Sequence, residues 1–271
     1  MTEHNIKTKE YVFSGIEGNI FVKEWIPNNL VDNVPLVLMH DSLGCVELWR
    51  SFPKTLATAL SKRVIAYDRL GFGQSSECTT LATKNFIKEE SLQHFPHLKK
   101  QLNIRDYLLL GHSVGGVIAI NIAANDADCQ GVITISSQAF VEPLTRKGIK
   151  EAQAMFQNAE QMQRLEKYHG ARAKWLLSSW INIWLSAEFS TWSLENCIGK
   201  IQCPVLALHG DKDEYGSKAF PEFIINKVAN SGGANRNKNV LVMLKDCGHA
   251  PHKEKTEQVL TSVTDFVLNN I

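Results

Sequence analysis

The chain has 271 residues, 44% hydrophobic and 21% charged, with a formal net charge of +1. That length suits one core domain with at most a modest insertion, and the near-neutral balance excludes a global pull toward nucleic acid or a membrane surface. The six cysteines are scattered without a C-x-x-C pair, the opening residues lack a basic and apolar leader pattern, and no window is apolar enough for a bilayer span, so a reduced, cytoplasmic protein is expected.

Residues 11–14 and 19–26 are extended in character, and Gly15-Ile-Glu-Gly18 between them predicts an antiparallel hairpin. Short runs of consecutive apolar residues follow at 35–40, 63–68, 107–110, 132–135, 204–209 and 240–244. A strand that is apolar at successive positions is covered on both faces, the mark of a parallel sheet between helices. Helical patterns occupy 48–61, 86–102, 114–124, 217–229 and 256–269. This alternation predicts an α/β fold with an open, mostly parallel sheet and right-handed crossovers. Between Phe140 and Cys197 no strand-like run occurs; the segment reads as several helices and carries Trp175, Trp180, Trp184 and Trp192. The expectation is a core of residues 1–139 and 198–271 and a helical cap of residues 140–197 over the carboxyl edge of the sheet, where open α/β sheets bind ligands. The tryptophans either line that site or simply pack the cap on the body.

Gly111-His112-Ser113-Val114-Gly115 is a G-x-S-x-G pattern set between an apolar strand and an apolar helix. In that context the serine sits on a strained strand-to-helix turn with its hydroxyl raised above the sheet. Gly111 and Gly115 leave room for the turn because neither has a Cβ. The helix that starts after Ser113 aims its free amides at the site, where they favour an oxyanion. His112 is expected to turn aside and pack at the pocket edge.

A serine hydroxyl is a weak nucleophile until a base takes its proton, and the expected chain order is Ser, then an acid, then His. Gly248-His249-Ala-Pro-His252 follows the last apolar strand, so His249 is the candidate base and His252 its competitor. Asp211-Lys-Asp213-Glu214 follows the preceding strand, with Asp213 preferred over Asp211 as the acid that orients the base. The earlier strand end, Ser136-Ser137-Gln138, offers no carboxylate. His40-Asp41-Ser42-Leu43-Gly44 follows the first central strand; the amides of Ser42 and Val114 are the candidate oxyanion donors. Leu43, His112, Trp180 and Trp184 are the candidate substrate-binding residues. Asp68-Arg69-Leu-Gly-Phe-Gly-Gln-Ser75 reads as a structural turn with internal hydrogen bonds.

With these motifs in this order, the sequence resembles the α/β-hydrolase superfamily along nearly its whole length. The resemblance implies an eight-stranded, mostly parallel sheet with a helical cap between the sixth and seventh strands, a serine triad, and no cofactor or metal. One position departs from the pattern: the oxyanion loop usually begins His-Gly, and here it begins His40-Asp41. A carboxylate pointing into the hole would disfavour the oxyanion, so Asp41 is expected to face away. Ser113 also argues against the aspartate-nucleophile branches, the haloalkane dehalogenases and epoxide hydrolases.

The expected activity is hydrolysis of a small carboxylic ester through an acyl-enzyme, with a hydrophobic acyl group under the apolar cap. Other readings share the triad: a C–C bond hydrolase of ring-cleavage products, a thioesterase, an acyl-carrier-protein esterase, a perhydrolase, or a non-enzymatic ligand receptor. Arg146, Lys147, Lys150, Arg164, Lys167, Arg172 and Lys174 offer a basic face to an acidic acyl-carrier protein, although a solvated helix face is the simpler account.

Overall fold

The consecutive apolar runs become the centre of an eight-stranded sheet in the computed structural model, which describes residues 6–78, 82–229 and 238–271. Residues 1–5, the opening stretch read above for a leader, lie outside the described residues. The hairpin is formed by β1 (Ile6–Ser14) and β2 (Asn19–Pro27), longer than predicted because nine residue pairs stay in register. Next come β3 (Leu36–Met39), α1 (Phe52–Leu60) and β4 (Val64–Tyr67). The helix expected from residue 48 is interrupted: Val46–Trp49 forms one 3-10 turn, Arg50 adopts φ 53°, and Pro53 helps start α1 afresh. Residues 86–101 are helical as α2 (Phe86–Glu89), a π-turn at Glu90–His94 and α3 (Phe95–Gln101).

β5 (Tyr107–His112) leads into α4 (Val114–Ala123), and β6 (Cys129–Ile135) follows. The insertion then supplies α5 (Pro143–Met155), α6 (Ala159–His169), α7 (Ala173–Leu185) and α8 (Glu195–Ile198). An isolated antiparallel bridge between Phe140 and Ser193 closes its neck. The core resumes with β7 (Val205–Gly210), α9 (Ala219–Ala229), β8 (Val240–Leu244), α10 (Pro251–Glu254) and α11 (Thr256–Asn270).

The strand order is β1-β2-β4-β3-β5-β6-β7-β8. From β4 to β8 every pair is parallel; β1 and β2 are antiparallel at one edge. Alternate residues serve opposite faces, which is why the central runs are apolar throughout. Tyr107 and Leu109 join the core under α4, while Leu108 and Leu110 join the core under α1 and α11. The order reverses at β3, so the loops after β3 and β5 open a crevice at the carboxyl edge.

The turn from β5 to α4 is the tightest packing in the site. Ser113 adopts φ 55° and ψ −126°, a conformation that costs a non-glycine residue about 1–3 kcal/mol. A Cβ on Gly115 would lie 2.0 Å from the Met39 carbonyl oxygen, and one on Gly111 would lie 2.2 Å from the Gly115 carbonyl oxygen. Gly115→Ala is therefore expected to destabilise the fold by at least ~1–3 kcal/mol in urea unfolding. Gly199→Ala, where a Cβ meets nothing within 4 Å, is the control and should stay within ~0.5 kcal/mol. Equal stability of the two variants would contradict the packing account.

Candidate active site

Five loops converge at the carboxyl edge. The elbow presents Ser113 as the one residue between β5 and α4. The loop after β7 presents Asp213, and the loop after β8 presents His249. The His249 Nδ1–H donates to Asp213 Oδ1 at 2.8 Å and faces Oδ2 at 2.9 Å. Asp213 is buried and also accepts the Tyr215 amide at 2.8 Å. Burial pushes its carboxyl up, but the hydrogen bond and charge of His249, with His209 3.4 Å away, win and hold it below the usual range. For His249, burial acts downward, but the Asp213 bond and charge outweigh it and raise the ring above 6.5.

The competing residues lie elsewhere. Asp211 is exposed and accepts the Cys247 amide. His252 is buried on Trp49 and Phe52, with ring centroids 5.1 and 5.6 Å apart, and burial lowers its pKa well below 6.5. Asp68 binds the amides of Val46 and Gln74 at 2.6 and 2.7 Å, and Arg69 Nη2 donates to the Asp41 carbonyl at 2.8 Å, so the turn after β4 is built from internal hydrogen bonds.

The oxyanion loop lies beside the elbow. Neither the Ser42 nor the Val114 amide has a hydrogen-bond partner among the described residues. The Leu43 amide is taken by Asp41 Oδ1 at 2.9 Å, whereas the Ser42 amide is open. Asp41 Oδ2 faces His112 Nδ1 at 3.2 Å.

Two adjoining cavities meet at Ser42, Trp180 and Trp184. The smaller, about 170 Å³, holds Ser113 and His249 together with Leu43, His112, Gln138 and Tyr215. The larger, about 270 Å³, runs from Ser42 and Val114 between the cap helix α7 and residues 86–94. Trp175 also lines it and packs on the turn at Gly71, whereas Trp192 stacks on Phe189 at 5.4 Å and is a packing residue of the cap. Trp180 and Trp184 line both cavities. His112 lines the smaller one, but its ring nitrogens are engaged by Asp41 and by the His249 carbonyl at 2.8 Å.

Three residues were not singled out from the sequence. Gln138, after β6, donates from Nε2 to Ser113 Oγ at 3.1 Å. The Ser113 hydroxyl makes no hydrogen bond to His249, so in this state the amide holds it. Tyr215 places its ring 4.7 Å from that of His249. His169, from the end of α6, accepts the Gly73 amide at 3.0 Å and donates to the Leu43 carbonyl at 2.9 Å, which connects the cap to the oxyanion loop. Gln138 follows a strand end, the position that can carry a site residue, but as an amide it does not fit the pattern of a triad acid; Tyr215 and His169 carry no local signal.

The family model described as "alpha/beta hydrolase fold" matches residues 34–175, just over half of the chain. The chain belongs to this family. Among curated relatives, it is 28% identical over 112 residues to a probable lysophospholipase, BODYGUARD 3, of Arabidopsis thaliana (39% of this chain, 21% of that one). It is 31% identical over 99 residues to a (lyso)-N-acylphosphatidylethanolamine lipase of Bos taurus (36% of this chain, 28% of that one). The chain thus spans about a quarter of the length of these curated relatives. Among solved structures, an enol-lactonase from Burkholderia xenovorans aligns with a TM-score of 0.72 at 19% identity, covering 96% of this chain and 100% of that one. A hydrolase from Pseudomonas aeruginosa aligns at 0.72 and 16% identity, covering 96% and 98%. These structural likenesses show the fold. Among the described residues no helix is long and apolar enough to cross a membrane.

The Asp213–His249 pair makes a direct prediction. In NMR titration the His249 ring should titrate above 6.5, and Asp213→Asn should move it downward. An unchanged midpoint in Asp213→Asn would show that the carboxylate does not set the ring's affinity for its proton.

Proposed function

We propose that this protein is a serine hydrolase that cleaves carboxylic esters through an acyl-enzyme. The observation that carries the reading is Ser113 on a strained elbow beside an Asp213–His249 hydrogen-bonded pair. In this reading substrate displaces the Ser113 hydroxyl from Gln138 and brings it to His249 Nε2, since such bonds are often unformed before substrate binds. Ser113 Oγ attacks the carbonyl as His249 takes its proton. Asp213 fixes the tautomer with the proton on Nδ1 and stabilises the imidazolium. The Ser42 and Val114 amides hold the oxyanion, and losing one such donor typically costs about 10²–10³ in turnover. His249 then protonates the leaving alcohol. Water, activated by the same ring, releases the acid and restores Ser113.

The chemistry of the cavities supports an apolar acyl or alkyl arm. Trp175, Leu176, Ile183, Trp184 and Phe86 form the apolar part of the larger cavity's wall beside Ser42 and Val114, while Glu17, Arg69, Glu89 and Glu90 give it a charged side. No cofactor enters this mechanism. The basic cap face gives little support to a carrier-protein partner: Arg146 binds the carbonyls of Trp184, Leu185 and Ser186, and Arg172 binds those of Gly73 and Ser75. Two of the seven cations are thus committed inside the fold.

One observation favours a second reading, the C–C bond hydrolase. Such an enzyme needs a cation for its substrate's carboxylate, and the buried Arg69 of the body reaches the wall of the larger cavity. Against it, Arg69 already donates to Asp41 and lies 4.4 Å from the Phe72 ring.

Hydrolysis of p-nitrophenyl esters from acetate to palmitate separates the two. The wild type should hydrolyse them with a preference for uncharged acyl chains, and Ser113→Ala should lose roughly 10⁴-fold or more in kcat. A folded wild type that ignores every ester but cleaves a vinylogous diketone acid would favour the second reading.

A further inference from the structure

We propose that Asp41 and His112 are a positioning pair that ties the oxyanion loop and the base loop to the nucleophile elbow, and that His112 neutralises the carboxylate Asp41 places beside the oxyanion site. The proposal rests on the serine-hydrolase reading and adds two residues to it.

Three separate segments meet in this pair. Asp41 belongs to the loop after β3, His112 ends β5, and His249 lies on the loop after β8. In the sheet β8 is three strands away from β5, so no ladder bond joins the base loop to the other two. The His112 ring makes that connection. A backbone carbonyl only accepts, so His112 Nε2 must carry the proton it gives to the His249 carbonyl at 2.8 Å. The Asp41 carboxylate also only accepts, so the bond from Nδ1 to Asp41 Oδ2 at 3.2 Å needs a proton on Nδ1 as well, and the ring that makes both bonds is the imidazolium, while Asp41 Oδ1 accepts the Leu43 amide at 2.9 Å. One continuous chain of bonds therefore runs from the Leu43 amide, through the carboxylate and the imidazole, to the main chain of the base itself. It occupies the Leu43 amide, bends the loop around Ser42 and leaves the Ser42 amide open.

Backbone geometry does not account for the carboxylate. Asp41 has no positive φ, and a neutral asparagine oxygen would accept the Leu43 amide equally, so the turn does not require the charge. Its cost is electrostatic. Asp41 lines the same small cavity as Ser113, where a bare negative charge opposes the negative charge that develops on the substrate oxygen. His112 faces that charge directly. The bond and charge of His112 hold the Asp41 carboxyl well below its ordinary value against burial, which acts upward. Lys253, His40, His249 and Arg69 also lie near the carboxylate without a hydrogen bond to it, Arg69 donating to the Asp41 carbonyl instead. The ring is buried, with Trp49, His249 and His252 packed around it.

This arrangement gives a coupling of unusual sign. Removing His112 alone leaves the carboxylate beside the site without its hydrogen-bonded partner charge; removing both charges does not. The experiment is a double-mutant cycle of Asp41→Asn and His112→Gln, with kcat and KM measured on a p-nitrophenyl ester and thermal melts run beside it. His112→Gln is expected to lower kcat by about 10–100-fold with KM changed less than about 3-fold, and the double variant should recover part of that loss. Losses that simply multiply, or a fall in KM-determined binding with kcat intact, would overturn the pair's role. A second measurement does not depend on turnover. The His112 Nε2–H, bonded to the His249 carbonyl, should give a slowly exchanging proton resonance in the wild type that weakens or shifts in Asp41→Asn. If that resonance is absent from the wild type, the tie is wrong whatever the enzyme does. If it is present and no ester is turned over in a Ser113-dependent way, the serine-hydrolase reading fails, and the pair's catalytic role fails with it, leaving only the tie.

Discussion

The steric pressure at the turn after β5 organises the rest of the molecule. Ser113 is held at φ 55° by a strand that delivers it and a helix that leaves at once. That turn closes only because the Met39 carbonyl can approach Gly115 where any side chain would collide. The same contact brings the end of β3 against the start of α4, so the loop after β3 is carried to Ser113 by packing rather than by a bond of its own. The strain is sustained by two hydrophobic layers, one on each face of the sheet, in which every residue of β3, β4 and β5 is buried. Strain of a kcal/mol or more persists only where the surroundings over-determine it, and such places cluster at functional sites.

Around that fixed point the loops are joined by polar bonds. His169 reaches from the cap to the Leu43 carbonyl, and Arg172 holds the carbonyls of the turn after β4. His112 reaches across to the carbonyl of His249. The loop after β3 is therefore gripped by His169 of the insertion on one side and by His112 of the elbow on the other. The helical insertion seated in this way shapes the two cavities and the loop after β3 together.

Much of this was legible in the sequence because the governing constraints are local. Two-sided burial writes itself as consecutive apolar residues, so the runs at 35–40, 63–68, 107–110 and 204–209 appear as central strands. The elbow is legible because its sterics demand glycine at fixed distances from the serine. Asp213 and His249 follow from strand ends, and the structure brings them within 2.8 Å. What escaped depends on tertiary neighbours. The break at Arg50 and the π-turn at Glu90–His94 sit inside patterns of continuous helical period. Gln138 gains its place only when β6 lies beside β5, and His169 only when the cap is seated. His112 was read as a packing residue because its neighbour in sequence hides its two partners, which come from 71 and 137 residues away.

The most direct test of the central claim is to trap the covalent intermediate. The protein would be mixed with a p-nitrophenyl ester, quenched in acid within milliseconds, digested and examined by mass spectrometry. The account predicts a transient gain of one acyl group on the peptide that holds Ser113, formed with a burst of p-nitrophenol. Ester turnover with no acylated peptide, or an acyl group on any other residue, would contradict it.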